Sequence, residues 1–413
     1  MARILIFIYS ILISIVMWPA GLLLERHPNF RGTMASRLGL KLPRVPKGRP
    51  ALWIHAASMG EVKAVAGLIL AIRKAAPDLF ICLSTMTATG RQVAAGIREL
   101  DHVMPFPFDG AWVMRRFMKR MDPKALILVE TELWPTLIRA ARGRNVPVFV
   151  VNARMTTRSF RRYGYFRDIA ALILDNVRVL AMAESDAGRF SKLGAKKVST
   201  LGNLKLDSLS EVDLEKREAI RATLGAGDRP VFIAGSIREG EEAKILEAIR
   251  RARADVPELF SILAPRHHDQ VAYLADLAEK GRFAWCRRSK MEKGADVVIV
   301  DTMGELFSLY GASDVAFVGG SLVDVGGQNI LEPIAWGIPT IHGPHMDNFI
   351  WALEVVEGFT IRVNDTSELG EAIVDILVQP EKYYDLAQEA RHLLEKRKGV
   401  TDRYLNALLP YLR

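Results

Sequence analysis

Three carboxylates are the first residues of this chain that could do chemistry. Glu61 closes the run AASMGE, three positions after Ser58 and one after Gly60, where an apolar helical pattern begins. A carboxylate held at such a turn can act as general base and take a proton from a hydroxyl. The same Ser-x-x-Glu spacing is also a capping box, which needs no function. The helix dipole there favours the ionised form and lowers its basicity. Glu130 and Glu132 in ETELWP share one side if the apolar strand before them persists. Paired acids suit chemistry at glycosidic bonds. Trp134-Pro135 opening a helix offers one of them a local structural role instead.

TMTATG (85–90) can offer hydroxyls and amides to a sugar or phosphate, or simply cap a helix. In the back half, GSIREGEE (235–242) follows a strand and opens a helix, a place where amides bind phosphate. It departs from GxGxxG and is no dinucleotide fingerprint. PRHH (265–268) brings Arg266, whose fork suits phosphate or carboxylate. His267 and His268 lack the spaced partners of a metal site, and the safer reading is a surface pair. MGEL (303–306) begins a helix. GGSLVDVGGQNILEP (319–333) is glycine-rich and places Asn329 and Glu332 one helical turn apart on one face. HGPH (342–345) follows another strand.

These loops need strands and helices to hold them. ALWIH (51–55) reads as a buried strand, followed by a helix ended by Pro77. LFICLS, ALILVE (125–130), PVFVV (147–151), VRVLAMA and VSTLG continue a strand-and-helix alternation. A charged connector fills 203–229. PVFIA (230–234), LFSILA (259–264), DVVIV (296–300), DVAFVGG (314–320) and IPTIH (338–342) start a second series. The fold class expected is α/β, two Rossmann-like domains facing each other across a cleft, 51–210 and 211–413. Ligands in such domains bind at strand carboxyl ends.

The chain has 413 residues, half of them hydrophobic and a quarter charged, which supports large cores. Cys82 and Cys286 are its only cysteines, so neither a disulfide scaffold nor a cysteine metal site is expected. The net charge of +9 is uneven: residues 1–210 carry a balance of +18 and residues 211–413 one of −9. A basic front half calls for an anionic partner, nucleic acid or membrane. Residues 4–24 decide for membrane, being an uncharged run long enough to cross a bilayer. No signal-peptide cleavage site precedes Glu25, although Pro19 makes a monotopic arrangement conceivable. Arg26, Arg31, Arg37, Lys41, Arg44, Lys47 and Arg49 follow without an acid through Pro50. This bias puts the rest of the chain in the cytoplasm, with 1–25 as an anchor and 26–50 as a basic segment on anionic headgroups. Since both cores lie beyond residue 50, the anchor is expected to be separable from the fold.

HAASMGE, TMTATG, VETELWP, NAR, GNLK, PRH, DTMGEL, FVGGSL, GGQNILEP and HGPH stand here in one order. Together they closely resemble the Kdo (3-deoxy-D-manno-octulosonic acid) transferases, glycosyltransferase family 30. The resemblance is dense over about residues 51–350. It implies a GT-B fold, and transfer of Kdo from CMP-Kdo to a lipid A precursor with inversion, without a metal or other cofactor. By motif match Glu61 would be the base, and Glu130 and Lys205 would stabilise the transition state. Ser58 and Gly60 flank the base. Pro265, Arg266, Met303, Gly304, Glu305, Asn329, Ile330, Leu331 and Glu332 would hold substrate and CMP. The implied partners are CMP-Kdo, the lipid acceptor and the inner-membrane surface, with no nucleic acid. GGQN has Gln328 where the family pattern has His, so an ionic role there is not expected. A UDP-sugar transferase, a UDP-sugar epimerase and a non-catalytic tethered binding protein are the rival readings.

Overall fold

A computed structural model describes residues 2–209, 212–213, 215–292, 294–356 and 358–412. The chain forms two compact units, 1–208 with 399–413, and 209–398. The second unit therefore ends before the C-terminus: helix Val400–Leu408 returns to the first unit, where Tyr404 is fully buried.

The first unit is built on strands β1 (Ala51–His55), β2 (Phe80–Thr85), β3 (His102–Pro105), β4 (Pro123–Val129), β5 (Val148–Ala153), β6 (Val177–Ala181) and β7 (Lys197–Thr200). They form one parallel sheet in the order β3-β2-β1-β4-β5-β6-β7. β1, β2 and β5 are buried at every position, as expected of a parallel sheet covered by helices on both faces. Trp53, Phe117, Leu126, Leu137 and Val148 belong to its core. Each such side chain contributes about 1.5–3 kcal/mol through burial.

The second unit repeats the scheme with β8 (Val231–Ile237), β9 (Phe260–Pro265), β10 (Trp285–Arg287), β11 (Val297–Ile299), β12 (Val315–Val318), β13 (Thr340–His342) and β14 (Ile361–Arg362). Its parallel order is β10-β11-β9-β8-β12-β13-β14. β3, β10 and β14 are short edge strands that the sequence pattern does not announce. An edge strand has one neighbour and needs no sustained apolar run. The connector expected at 203–229 contributes to both units. Leu204 and Leu206 are buried in a 3-10 turn of the first unit, and helix Lys216–Leu224 seals the second with Leu224.

In each unit the strand order reverses at one place, between β1 and β4 and between β8 and β12. Crossovers depart in opposite directions there, leaving a crevice at the strand carboxyl ends.

Two expectations about the N-terminal region need correction. Helix Ala2–Leu24 is apolar and long enough to cross a membrane, yet it is not detached from the first core. Ile6 and Met17 lie in that core, and Ser14 Oγ accepts from Ala111 N at 3.1 Å. The 26–50 segment is not uniformly a headgroup surface. Arg37 is fully buried and donates to the carbonyls of Met86 (2.7 Å) and Phe106 (3.0 Å). Arg49 pairs with Asp101 at 2.7 Å. Arg26, Arg31, Lys41, Arg44 and Lys47 remain exposed.

Candidate active site

Glu61 starts helix Met59–Ala75 directly after β1, at the reversal point of the first sheet. Ser58 Oγ accepts from Glu61 N at 3.3 Å and donates to Glu61 Oε1 at 2.9 Å. Glu61 Oε2 accepts from Ala57 N at 2.7 Å. This is a variant of the capping box in which the carboxylate takes the N–H of Ala57, one residue before the cap. It does not make the carboxylate a weak base, because burial, with Glu130 and Glu132 nearby, pushes it up to about 7. Desolvation and like charge outweigh the capping hydrogen bonds, the opposite of what the helix dipole alone would do. A base poised near neutrality is matched to its task. Gly60 is exposed beside it, and a Cβ there would meet only Ser58 Oγ, at 3.8 Å.

Glu130 follows β4, which ends at Val129, so strand alternation does not carry on to Glu132. Its φ is 59°, a left-handed conformation that costs a side-chain-bearing residue roughly 1–2 kcal/mol. Burial raises its carboxyl, and Lys205 and Arg154 act against that. Glu132 takes a different environment. Its Oε2 accepts from Trp134 Nε1 at 2.8 Å and lies 3.5 Å from His55 Nε2. Burial opposes its ionisation, but bonding to His55 and Trp134 prevails and holds the carboxyl below its ordinary range. His55 is buried, stacked on Phe106 at 3.9 Å between centroids, with Nδ1 3.0 Å from Ser84 O. His55 heads the motif HAASMGE, and its part in the site has no local signal because Glu132 lies 77 positions away.

Lys205 reaches this cluster through Asn152. The Asn152 backbone is left-handed at φ 50°, and its Oδ1 accepts from Leu204 N at 3.0 Å. That bond ties the end of β5 to the turn that presents Lys205. Asn203 caps the same turn by accepting from Lys205 N at 3.0 Å. The NAR and GNLK motifs thus act as one device. In TMTATG the capping reading holds: Thr87 Oγ1 accepts from Gly90 N at 3.0 Å, and Thr85 Oγ1 donates to Ala57 O at 3.0 Å.

The second unit gathers its candidates at the carboxyl ends of β8, β9, β11 and β12. Asn329 Nδ2 donates to Glu332 Oε1 at 2.9 Å. Burial raises the Glu332 carboxyl, while Asn329 and the charge of Arg266 act against that. Arg266 is exposed just past Pro265 at the end of β9. Met303 is 94 % exposed, and Gly304 is left-handed at φ +86° with open space around it. Glu305 accepts from Thr302 Oγ1 and from Arg288 Nε, the latter at 3.2 Å. Ile330 and Leu331 are buried.

The glycine loop holds a carboxylate that sequence reasoning missed. Glu241 is buried and accepts from Arg238 N, Ser321 N and Leu322 N at 2.9 Å each, and from Gly320 N. Amides of GSIREGEE and GGSL that could have met phosphate are spent on this side chain, which ties the β8 and β12 loops together. Gly319 makes the approach possible, since a Cβ there would lie 2.5 Å from Ser236 O. Among the described residues one group of potential metal ligands converges, Asp324, His345 and Asp347 at the surface, and neither His267 nor His268 is part of it. His267 instead lies 3.0 Å from Arg238 through Nε2.

The chain as a whole is similar to known proteins. Residues 33–208 match the family model of 3-deoxy-D-manno-octulosonic-acid transferase (kdotransferase). The 3-deoxy-D-manno-octulosonic acid transferase of Haemophilus influenzae is 35 % identical over 402 residues, 95 % of this chain and 94 % of the relative. That of Bordetella pertussis is 35 % identical over 395 residues, 91 % and 90 % of the two chains. Among solved structures, a glycosyltransferase from Rickettsia africae superposes with a TM-score of 0.63 at 13 % identity, covering 89 % of this chain and 99 % of the other, a likeness of GT-B-type fold alone.

Proposed function

Because this chain belongs to the 3-deoxy-D-manno-octulosonic acid (Kdo) transferase family, a family of enzymes, we propose that it moves Kdo from CMP-Kdo to a lipid A precursor with inversion, Glu61 acting as general base. The observation that carries this reading is the Glu61 carboxyl, raised to about 7 with Glu130 and Glu132 beside it at the reversal point of the first sheet.

The acceptor's primary hydroxyl is a poor nucleophile until its proton is removed. Glu61 takes that proton as the oxygen attacks the anomeric carbon of Kdo from the face opposite CMP. The new C–O bond forms as the bond to the CMP phosphate oxygen breaks, and CMP leaves with the electron pair. CMP departs with phosphate charge that Arg266 is suited to stabilise. Asn329 and Glu332 suit the ribose hydroxyls. Kdo also carries a carboxylate at its anomeric carbon, and Lys205, held by Asn203 and Asn152, is the cation for it. Glu130 is close enough to feel the charge of that lysine and to act on the base. In this reading the first unit takes the lipid acceptor and the second takes the CMP moiety.

The exposed apolar face of helix Ala2–Leu24 and the basic residues after it support placement at the cytoplasmic face of the inner membrane. Incubation of the full chain with CMP-Kdo and lipid IVA, read by mass spectrometry, tests the proposal. The lipid should gain Kdo with matching release of CMP. CMP release without sugar on the lipid would overturn it.

A further inference from the structure

Between β5 and β6 the chain leaves the first sheet for residues 156–168, TTRSFRRYGYFRD. Thr156 caps helix Thr157–Gly164 by accepting from Ser159 N at 3.2 Å. Phe160 and Tyr163, both half-buried, seat this helix on the core. Apart from half-buried Ser159, its other residues face solvent. Arg158, Arg161 and Arg162 are exposed, and the next turn presents Tyr165 at 84 % and Phe166 at 63 % exposure before exposed Arg167. Asp168 is the single acid of the segment. None of the four arginines forms an ion pair among the described residues. Neither aromatic side chain belongs to a core, and the one protein contact of these arginines is Arg162 over the Tyr163 ring at 5.9 Å, which leaves their positive charge unpaired among the described residues.

The neighbouring structure says what this surface meets. Tyr165 and Phe166 lead into helix Arg167–Leu174, which buries Ala170, Ile173 and Leu174 and packs against helix Ala2–Leu24. That apolar helix leaves Ile4, Phe7, Ile8, Leu12, Ile15 and Val16 exposed. An apolar face, two exposed aromatics and four arginines therefore follow one another along connected elements.

We infer that residues 156–168 are a second membrane contact, docking on the anionic headgroup layer of a phospholipid bilayer. Aromatic rings concentrate at this depth because one end is apolar and the surroundings are wet at the other. Arginine forks bind lipid phosphates bidentately and are drawn to an anionic leaflet. β5 neighbours β4 in the sheet, so the segment holds the end of the first unit that carries Glu130 and Glu61 toward the headgroups. The inference rests on the reading of helix Ala2–Leu24 as membrane-seated. It adds a contact that the stretch at 26–50 does not provide.

The test uses the full chain with Tyr165→Cys labelled by an environment-sensitive fluorophore; Cys82 and Cys286 are buried and leave the new thiol as the reactive one. Vesicles of phosphatidylcholine with and without phosphatidylglycerol, free of any glycolipid acceptor, are added, and binding is followed by co-sedimentation. The label should shift to the blue and brighten on the anionic vesicles. The same label at Asp78→Cys, exposed at the opposite end of the sheet, should not respond. Replacing Arg158, Arg161, Arg162 and Arg167 by Gln should abolish the response at position 165 with thermal unfolding unchanged. Co-sedimentation with an unchanged signal at 165 would overturn the inference while sparing the membrane reading. Failure to co-sediment would sink both.

Discussion

Ser58 and Glu61 hold each other by two reciprocal bonds: the hydroxyl accepts from the Glu61 backbone N–H at 3.3 Å and donates to its carboxylate at 2.9 Å. One carboxylate serves as helix cap and remains a base near neutrality, because burial and two neighbouring acids offset what the cap and the helix dipole do to it. The structural and catalytic readings of SMGE are both satisfied by the same atoms.

Replacing Glu61 by Gln keeps shape and much of the capping while removing the basicity. Turnover should fall at least ~10²-fold with CMP affinity unchanged. In the wild type, kcat/KM should rise with pH as Glu61 loses its proton near 7 and fall away below. A carboxyl raised in the fold binds its proton more tightly there than when unfolded, so its ionisation costs stability as pH rises from about 4.5 through about 7. Glu61→Gln should therefore melt no lower than wild type at pH 8. A variant that keeps activity but melts much earlier would make Glu61 a cap alone. Ser58→Ala is the companion: a loss of about 1 kcal/mol, with a smaller loss of turnover.

Glu130 separates function from stability through its backbone. At φ 59° glycine is the residue at ease, so Glu130→Gly should melt at or slightly above the wild-type temperature while losing turnover. Glu130→Gln, keeping the strain, should be no more stable than wild type and equally impaired. Calorimetry beside initial rates decides it; full activity in Glu130→Gly removes Glu130 from the chemistry.

Arg266→Ala should weaken CMP binding by ~1.5–3 kcal/mol, the worth of a hydrogen bond to a charged group. Titration calorimetry on the folded variant reads this directly. Unchanged affinity would place the phosphate elsewhere.

Glu241→Ala should be far more damaging than its surface-like composition suggests. It leaves Gly320, Ser321 and Leu322 with unsatisfied buried N–H groups, each costing about 1–3 kcal/mol unless water enters, and frees the half-buried N–H of Arg238. Early unfolding of the second unit, seen by proteolysis within 209–398, is the expected result. Normal melting with normal CMP binding would show that the clamp is dispensable.

Deleting residues 1–25 should lower the melting temperature of the first unit, because Ile6 and Met17 leave its core and Ala111 N loses Ser14 Oγ. An unchanged thermal transition would restore the picture of a detached anchor.

The alternation of apolar runs with helical stretches determined two parallel α/β units, since a strand buried on both faces must be apolar throughout. The length and hydropathy of residues 4–24 likewise determined an apolar helix. Local spacing was enough for Ser58 with Glu61 and for Asn329 with Glu332, because each pair is three residues apart, although Asn329 stands in the loop before helix Leu331–Ala335 rather than on it. What depends on distant residues stayed hidden. The basicity of Glu61 is decided by burial and by Glu130 and Glu132, which arrive in the loop after another strand, β4. Asn152 fixes Lys205 from 53 positions away. Glu241 claims amides 79 to 81 residues downstream. Arg37 reads in the sequence as a solvated charge and is fully buried. Hydrogen bonding and desolvation act over ångströms in space, so a carboxylate's role waits on which strands the sheet brings side by side.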